Sequence, residues 1–189
     1  LVFLILGFAA GSLGTATVSS GTWANAAGVA GKILYVGYSG TGVLDVTGGF
    51  VTNSTGILGG LAGGVGTATV SSGTWQNRGP LYVGGSVSGT GGTGTLTMTG
   101  GRVTSTLGTI GVNTTSVGSV TVTGGTWSNA GNFNVGTTGT GTLTISGSGG
   151  AGGMVLVSGT LSKGASGTIN LDAGGTLQIG TGSTGGVLA

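Results

Sequence analysis

The chain has 189 residues, 50 of them Gly, and only six charged side chains: Lys32, Arg78, Arg102, Lys163, Asp45 and Asp172. With no His, Cys or Glu it has no means for zinc sites, thiol chemistry, disulfides or His-based acid–base catalysis, and no cofactor is expected. Four scattered cations make no patch that could follow a nucleic-acid backbone, a single proline excludes collagen, and a mean hydropathy of +0.50 excludes solvated disorder.

The opening LVFLILGFAA has the hydrophobicity of a signal peptide but no basic flank, and it is too short to span a bilayer. Its place is set instead by an internal repeat. Trp23, Trp75 and Trp127 are spaced by 52 residues within near-identical sentences, LGTATVSSGTWAN, VGTATVSSGTWQN and VGSVTVTGGTWSN. Between them GVLDVTGGFVTN (42–53) and GTLTMTGGRVTS (94–105) repeat the pattern with Val for Trp, so the unit is half of that period. Units open at Gly14, Gly42, Gly66, Gly94, Gly118, Gly141 and, more loosely, Gly167, with lengths of 28, 24, 28, 24, 23 and 26. Ile5-Leu6-Gly7 lies 52 residues before Ile57-Leu58-Gly59, which makes residues 1–13 the end of a preceding turn. Residues 14–166 then hold six clear turns and 167–189 a final partial one, in a single segment expected to be a piece of a longer repeat protein. Length varies in AAGVAGK before Ile33 and in GSVSGTG after Val83, which marks both as loops.

Each unit begins with alternating residues: Ala16/Val18, Leu44/Val46, Ala68/Val70, Leu96/Met98, Val120/Val122, Leu143/Ile145 and Ile169/Leu171 are apolar, and their neighbours are mostly Thr. That is the period of a strand with one buried face, and Thr suits the other. A second short strand begins at Trp23, Val51, Trp75, Val103 and Trp127. A third is ILYVG, GILGG, PLYVG, TIGV and NFNVG, read with a one-residue shift in alternate units. Three short strands per turn, no helical period and Gly or Asn at the corners predict an all-β parallel β-helix, right-handed by expectation, of about seven turns of roughly 24 residues. At about 4.8 Å per turn this is a rod of roughly 34 Å. Position twelve of successive units is Asn25, Asn53, Asn77, Ser105 and Asn129, a file whose side chains can hydrogen-bond along the axis. Stacking also accounts for the missing charge, since like charges on equivalent positions repel.

Candidate sites are few. Asp45 and Asp172 fall in the second and seventh turns, too far apart for a glycosidase dyad. The Gly-rich run 84–95 lacks the Gly-Lys-Ser/Thr and following helix of a phosphate loop. Thr15/Thr17, Thr67/Thr69, Thr95/Thr97 and Thr142/Thr144 would build a flat lattice similar to that of ice-binding solenoids, interrupted by Val43 and Asp45. Trp23, Trp75 and Trp127 form one stack, expected in the core with each N–H on a turn carbonyl, or, if exposed, a platform for glycans. Tyr35, Tyr38 and Tyr82 are the expected surface contacts.

The repeated GTATVSSGTWxN, LYVG and GTGTLTMTGG, together with SGTLSKGASGTINLDAGGTLQIGTGSTGGVL (158–188), resemble the passenger regions of bacterial autotransporters, and the last stretch is similar to the autotransporter-associated β-strand repeat. The resemblance implies a non-enzymatic, extracellular protein of the bacterial outer surface: a stalk, adhesin segment or fibre, with export signal and membrane barrel elsewhere. No membrane span is expected within these residues. The partners expected are further repeats or copies of the chain, with surface glycans or ice as alternatives, a polysaccharide-active enzyme as the least favoured, and no nucleic acid.

Overall fold

In the computed structural model, which describes residues 3–25, 31–87, 89–147 and 152–180, the described residues form nineteen strands and no helix. Every strand pair is parallel, and each strand pairs with its equivalent one turn away. The first strands stack as Leu13–Val18, Thr41–Val46, Val65–Val70, the starts of Thr93–Ser105 and Val117–Asn129, then Thr140–Ile145 and Gly167–Leu171. In this ladder Gly14, Gly42, Gly66, Gly94, Gly118, Gly141 and Gly167 are successive register partners. The chain is thus a parallel β-solenoid whose seven rungs enclose six full turns of about 25 residues. Residues 26–30, within the expected loop AAGVAGK, and 181–189, within the expected final partial turn, lie outside the described residues.

The third strands form a separate seven-stranded sheet, Phe3–Leu6, Ile33–Val36, Thr55–Leu58, Pro80–Val83, Leu107–Ile110, Phe133–Val135 and Leu161–Lys163. The second strands run from Thr22–Ala24 through Phe50–Asn53 and Thr74–Asn77 to Met154–Val157 and Thr176–Ile179. In the fourth and fifth turns the first and second strands are not separate: Thr93–Ser105 and Val117–Asn129 each run round the corner as one 13-residue strand, with register shifts between Met98 and Arg102. Here two consecutive turns carry the same Thr-Gly-Gly corner, whereas the first three turns alternate Ser-Ser-Gly with Thr-Gly-Gly.

The third strands also correct the expected shift in register. Leu34, Gly56, Leu81, Gly108 and Phe133 are partners in one file, and Val36, Leu58, Val83, Ile110 and Val135 in another. The register is constant; what alternates through the first five turns is the side chain at an inward site, Leu or Phe in the turns with Trp and Gly in the turns with Val, while the sixth turn departs from this with Leu161 beside Val155. A Cβ on Gly56 would lie 2.9 Å from Leu81 Cδ1 and 3.0 Å from Trp75 Cζ2, and one on Gly108 would lie 2.6 Å from the Phe133 ring. Trp127 and Phe133 meet edge to face at 4.8 Å. Bulky side chains of one turn lean into space that the preceding turn leaves empty. This close-packed exchange of volume is the physical origin of the 52-residue period.

The rest of the core is the inward face of the first strands. Leu44, Val46, Ala68, Val70, Leu96, Met98, Val120, Val122, Leu143 and Ile145 are all fully buried. At the last rung Leu171, expected inward, is 49% exposed. The corner after each third strand is made by Gly59 and its stacked equivalents, with φ of 69° at Gly59, a conformation that L side chains rarely adopt. Gly66 faces this corner so closely that a Cβ would strike the Val36 carbonyl and the Gly59 amide.

Gly108→Leu is expected to cost about 1–3 kcal/mol through overpacking, measured by chemical denaturation. Combined with Phe133→Ala, it should cost less than the sum of the two single substitutions, whereas additive costs would contradict the exchange of volume.

Candidate functional site

The second-strand seam positions the residues singled out in the sequence. Asn53, Asn77, Ser105 and Asn129 are buried and face inward beside Trp75 and Trp127, which are fully buried; Asn25 and Trp23, in the first described rung of this ladder, are half-buried. A buried indole N–H needs an acceptor. Trp75 Nε1 donates to Asn53 Oδ1 at 2.8 Å, and Trp127 Nε1 to Ser105 Oγ at 2.9 Å. The acceptors are therefore side chains of the preceding turn, not the turn carbonyls the sequence suggested. The same side chains also donate: Asn53 Nδ2 to Asn77 Oδ1 at 2.6 Å, and Ser105 Oγ to Asn129 Oδ1 at 2.8 Å.

One amide or hydroxyl thus serves both Trp and Asn of the next turn. The result is a file coupled in pairs, Asn53 with Asn77 and Ser105 with Asn129. Between the pairs Asn77 Nδ2 donates to the Thr104 carbonyl at 3.3 Å, and Asn129 Nδ2 closes its own corner on the Gly131 and Asn132 carbonyls. The file ends at Val157 and Ile179, the register partners of Asn129 in the next two turns. No buried side-chain N or O lacks a partner among the described residues. With Trp75 and Trp127 sealed in the core, neither can act as a glycan platform.

The outer face of the first-strand sheet carries two files in register, Thr15, Val43, Thr67, Thr95, Ser119, Thr142 and Thr168 beside Thr17, Asp45, Thr69, Thr97, Thr121, Thr144 and Asn170. Val43 and Asp45 interrupt them in the second turn, as the sequence indicated, and from the third turn onward they are neutral and hydroxyl-rich. Rungs sit about 4.8 Å apart, and β-branched Thr holds its hydroxyl in few rotamers. Asp45 and Asp172 lie five rungs apart, roughly 24 Å.

The tyrosines divide. On the outside of the third-strand sheet, Tyr35, Ile57 and Tyr82 are neighbours in one file. Tyr82 is only 8% exposed, buried in a second apolar cluster with Ile57 and Val112, so it is not the surface contact expected of it. Tyr35 and Tyr38 are half-buried and meet edge to face at 4.8 Å, with Phe8 stacked on Tyr38 at 5.7 Å. Together with Phe3 and Ile5 they line a small cleft of about 130 Å³. Beyond the Ile/Tyr content of the third strands, no signal in the sequence points to this outer apolar cluster. Burial raises the Tyr82 phenol above its ordinary 10.0, and burial, then the neighbouring Tyr38, raise Tyr35.

Among the described residues no three metal-ligating side chains come together, and no helix is long and apolar enough to cross a membrane. No family model, no curated protein and no solved structure matches the chain.

Ser105→Ala leaves the Trp127 N–H and the Asn129 carbonyl oxygen without their partner. It is expected to lower stability by about 1–3 kcal/mol, seen as a shifted denaturation midpoint, with Ser105→Asn recovering most of the loss. The tyrosines set the alkaline limb. A phenol whose folded-state value is raised contributes stability that is complete below pH 10 and is lost as pH climbs through that raised value. The melting temperature should therefore hold level from pH 5 to 9, where this composition has almost nothing to titrate, and fall above about pH 10. Tyr35→Phe with Tyr82→Phe should flatten that fall.

Proposed function

We propose that the chain is part of an extracellular structural solenoid of the autotransporter-passenger kind: a stalk, adhesin segment or fibre of a bacterial surface that holds other parts in place and catalyses nothing. The observation that carries this reading is the unbroken in-register ladder from Gly14 to Gly167. Such a ladder makes a narrow, uniform rod in which each turn contacts only its neighbours, the architecture of a spacer that lengthens by repetition. The surface repeats bland Thr, Ser and Gly, and the two carboxylates stand too far apart for glycoside hydrolysis. The repeat motifs resembling autotransporter passengers supply the extracellular, bacterial part of the reading.

Self-association belongs to the same proposal. Among the described residues, the first-strand ladder ends on Leu13–Val18 at one end and Gly167–Leu171 at the other, each pairing on one side only. An open parallel edge is a template for another strand, and the partner that fits is a further turn of the same kind, from this chain or from a second copy stacked head to tail.

Antibody raised against the chain should label intact, unpermeabilised cells of the source organism in immunogold electron microscopy. The label should decorate material projecting from the envelope and should be removed by external protease. Labelling only after permeabilisation would sink the proposal.

A further inference from the structure

Two of the four cations of this chain, Arg78 and Arg102, line one shallow groove of about 320 Å³ on the outside of the second-strand seam, and we infer that this groove binds an acidic oligosaccharide. Between the arginines the groove is lined by Gln76, Thr104 and Ser128. These three are register partners across the third, fourth and fifth turns, so they form a straight polar file across the rungs. Arg102 pairs in register with Thr74, and Arg78 lies four residues beyond Thr74. The two arginines therefore flank the file on adjacent turns, their positions offset by about 13 Å along the strand direction.

Three observations set the groove apart. This solenoid excludes charge from stacked positions, yet places two like charges on adjacent turns of a single groove. Neither acid offsets them: Asp45 is on the first-strand face and Asp172 in the seventh turn, and no carboxylate lines the groove. Both arginines are exposed; their backbone N–H groups donate to the Asn53 and Gly73 carbonyls of the preceding turns, but among the described residues neither guanidinium makes a hydrogen bond or an ion pair, so their planar donors are available for an oxyanion.

The chemistry between the arginines selects the ligand class. An amide and two hydroxyls both donate and accept, which matches the hydroxyls of a sugar chain, while the carboxylates or sulfate esters of an acidic glycan match the flanking guanidiniums. A nucleic acid fits worse, because its affinity rests on neutralising many successive phosphates and this groove offers two cations. The groove has no large apolar or aromatic anchor of the kind that dominates peptide recognition.

The test is calorimetric titration of the intact chain with an oligogalacturonate, a sulfated oligosaccharide of similar length, a neutral oligosaccharide, inorganic phosphate and a short single-stranded oligonucleotide. At least one acidic oligosaccharide should bind, more weakly as salt is raised, and at least tenfold more tightly than the neutral chain. Arg78→Gln with Arg102→Gln should reduce that affinity tenfold or more, with the melting temperature unchanged. Lys32→Gln with Lys163→Gln, which removes the same charge outside the groove, should leave it within twofold. Which acidic chain binds identifies carboxylate or sulfate as the anion read. The inference is overturned if neither acidic chain binds, if phosphate or the oligonucleotide binds as tightly, or if the lysine pair matters as much as the arginines.

Discussion

The parallel backbone ladder between turns is the constraint on which everything else rests. Because each turn hydrogen-bonds to the next at about 4.8 Å, each residue is placed over its equivalent, and any property of one position is multiplied along the rod. Charge at a stacked position would repeat as repulsion, so six charged residues in 189 is what the geometry tolerates. A corner tight enough to need positive φ recurs in each of the first five turns, so Gly recurs with it.

The ladder also explains why the repeat is double. A core in which each turn carried Trp with Leu or Phe would be overfilled at this spacing, and one in which each carried Val with Gly would be hollow. Alternation lets Trp75 and Leu81 occupy the space above Gly56, and Phe133 the space above Gly108. The same alternation satisfies the polar atoms that Trp brings into the core: the Val-bearing turn supplies Asn53 or Ser105, which accepts from the indole and donates to the next Asn. Packing and hydrogen bonding therefore share one two-turn module.

Much of this was legible in the sequence for a physical reason. In a solenoid local spacing and long-range contact are the same information, so the Gly starts and the alternating Ala/Val/Leu with Thr named the rungs, their register and the inward side chains. What stayed hidden depends on neighbouring turns jointly. Gly56 read as the first residue of the strand GILGG and Gly108 had no reading at all, since only the packed core shows a glycine making room for the bulky side chains of the next turn. Tyr82 read as a surface residue because it points outward, and its burial comes from side chains in adjacent turns. The groove flanked by Arg78 and Arg102 was equally invisible, because 24 residues separate two side chains that the stacking brings to one face.

The central claim, stacking in one fixed register, can be tested covalently in a chain that has no native Cys. Thr69 and Thr97 are register partners on the outer face, whereas Met98 points into the core. Partners about 4.8 Å apart fall within disulfide reach. Thr69→Cys with Thr97→Cys should therefore oxidise readily to an intramolecular disulfide, and Thr69→Cys with Met98→Cys should not. Equal cross-linking in both pairs, or none in the first, would contradict the account.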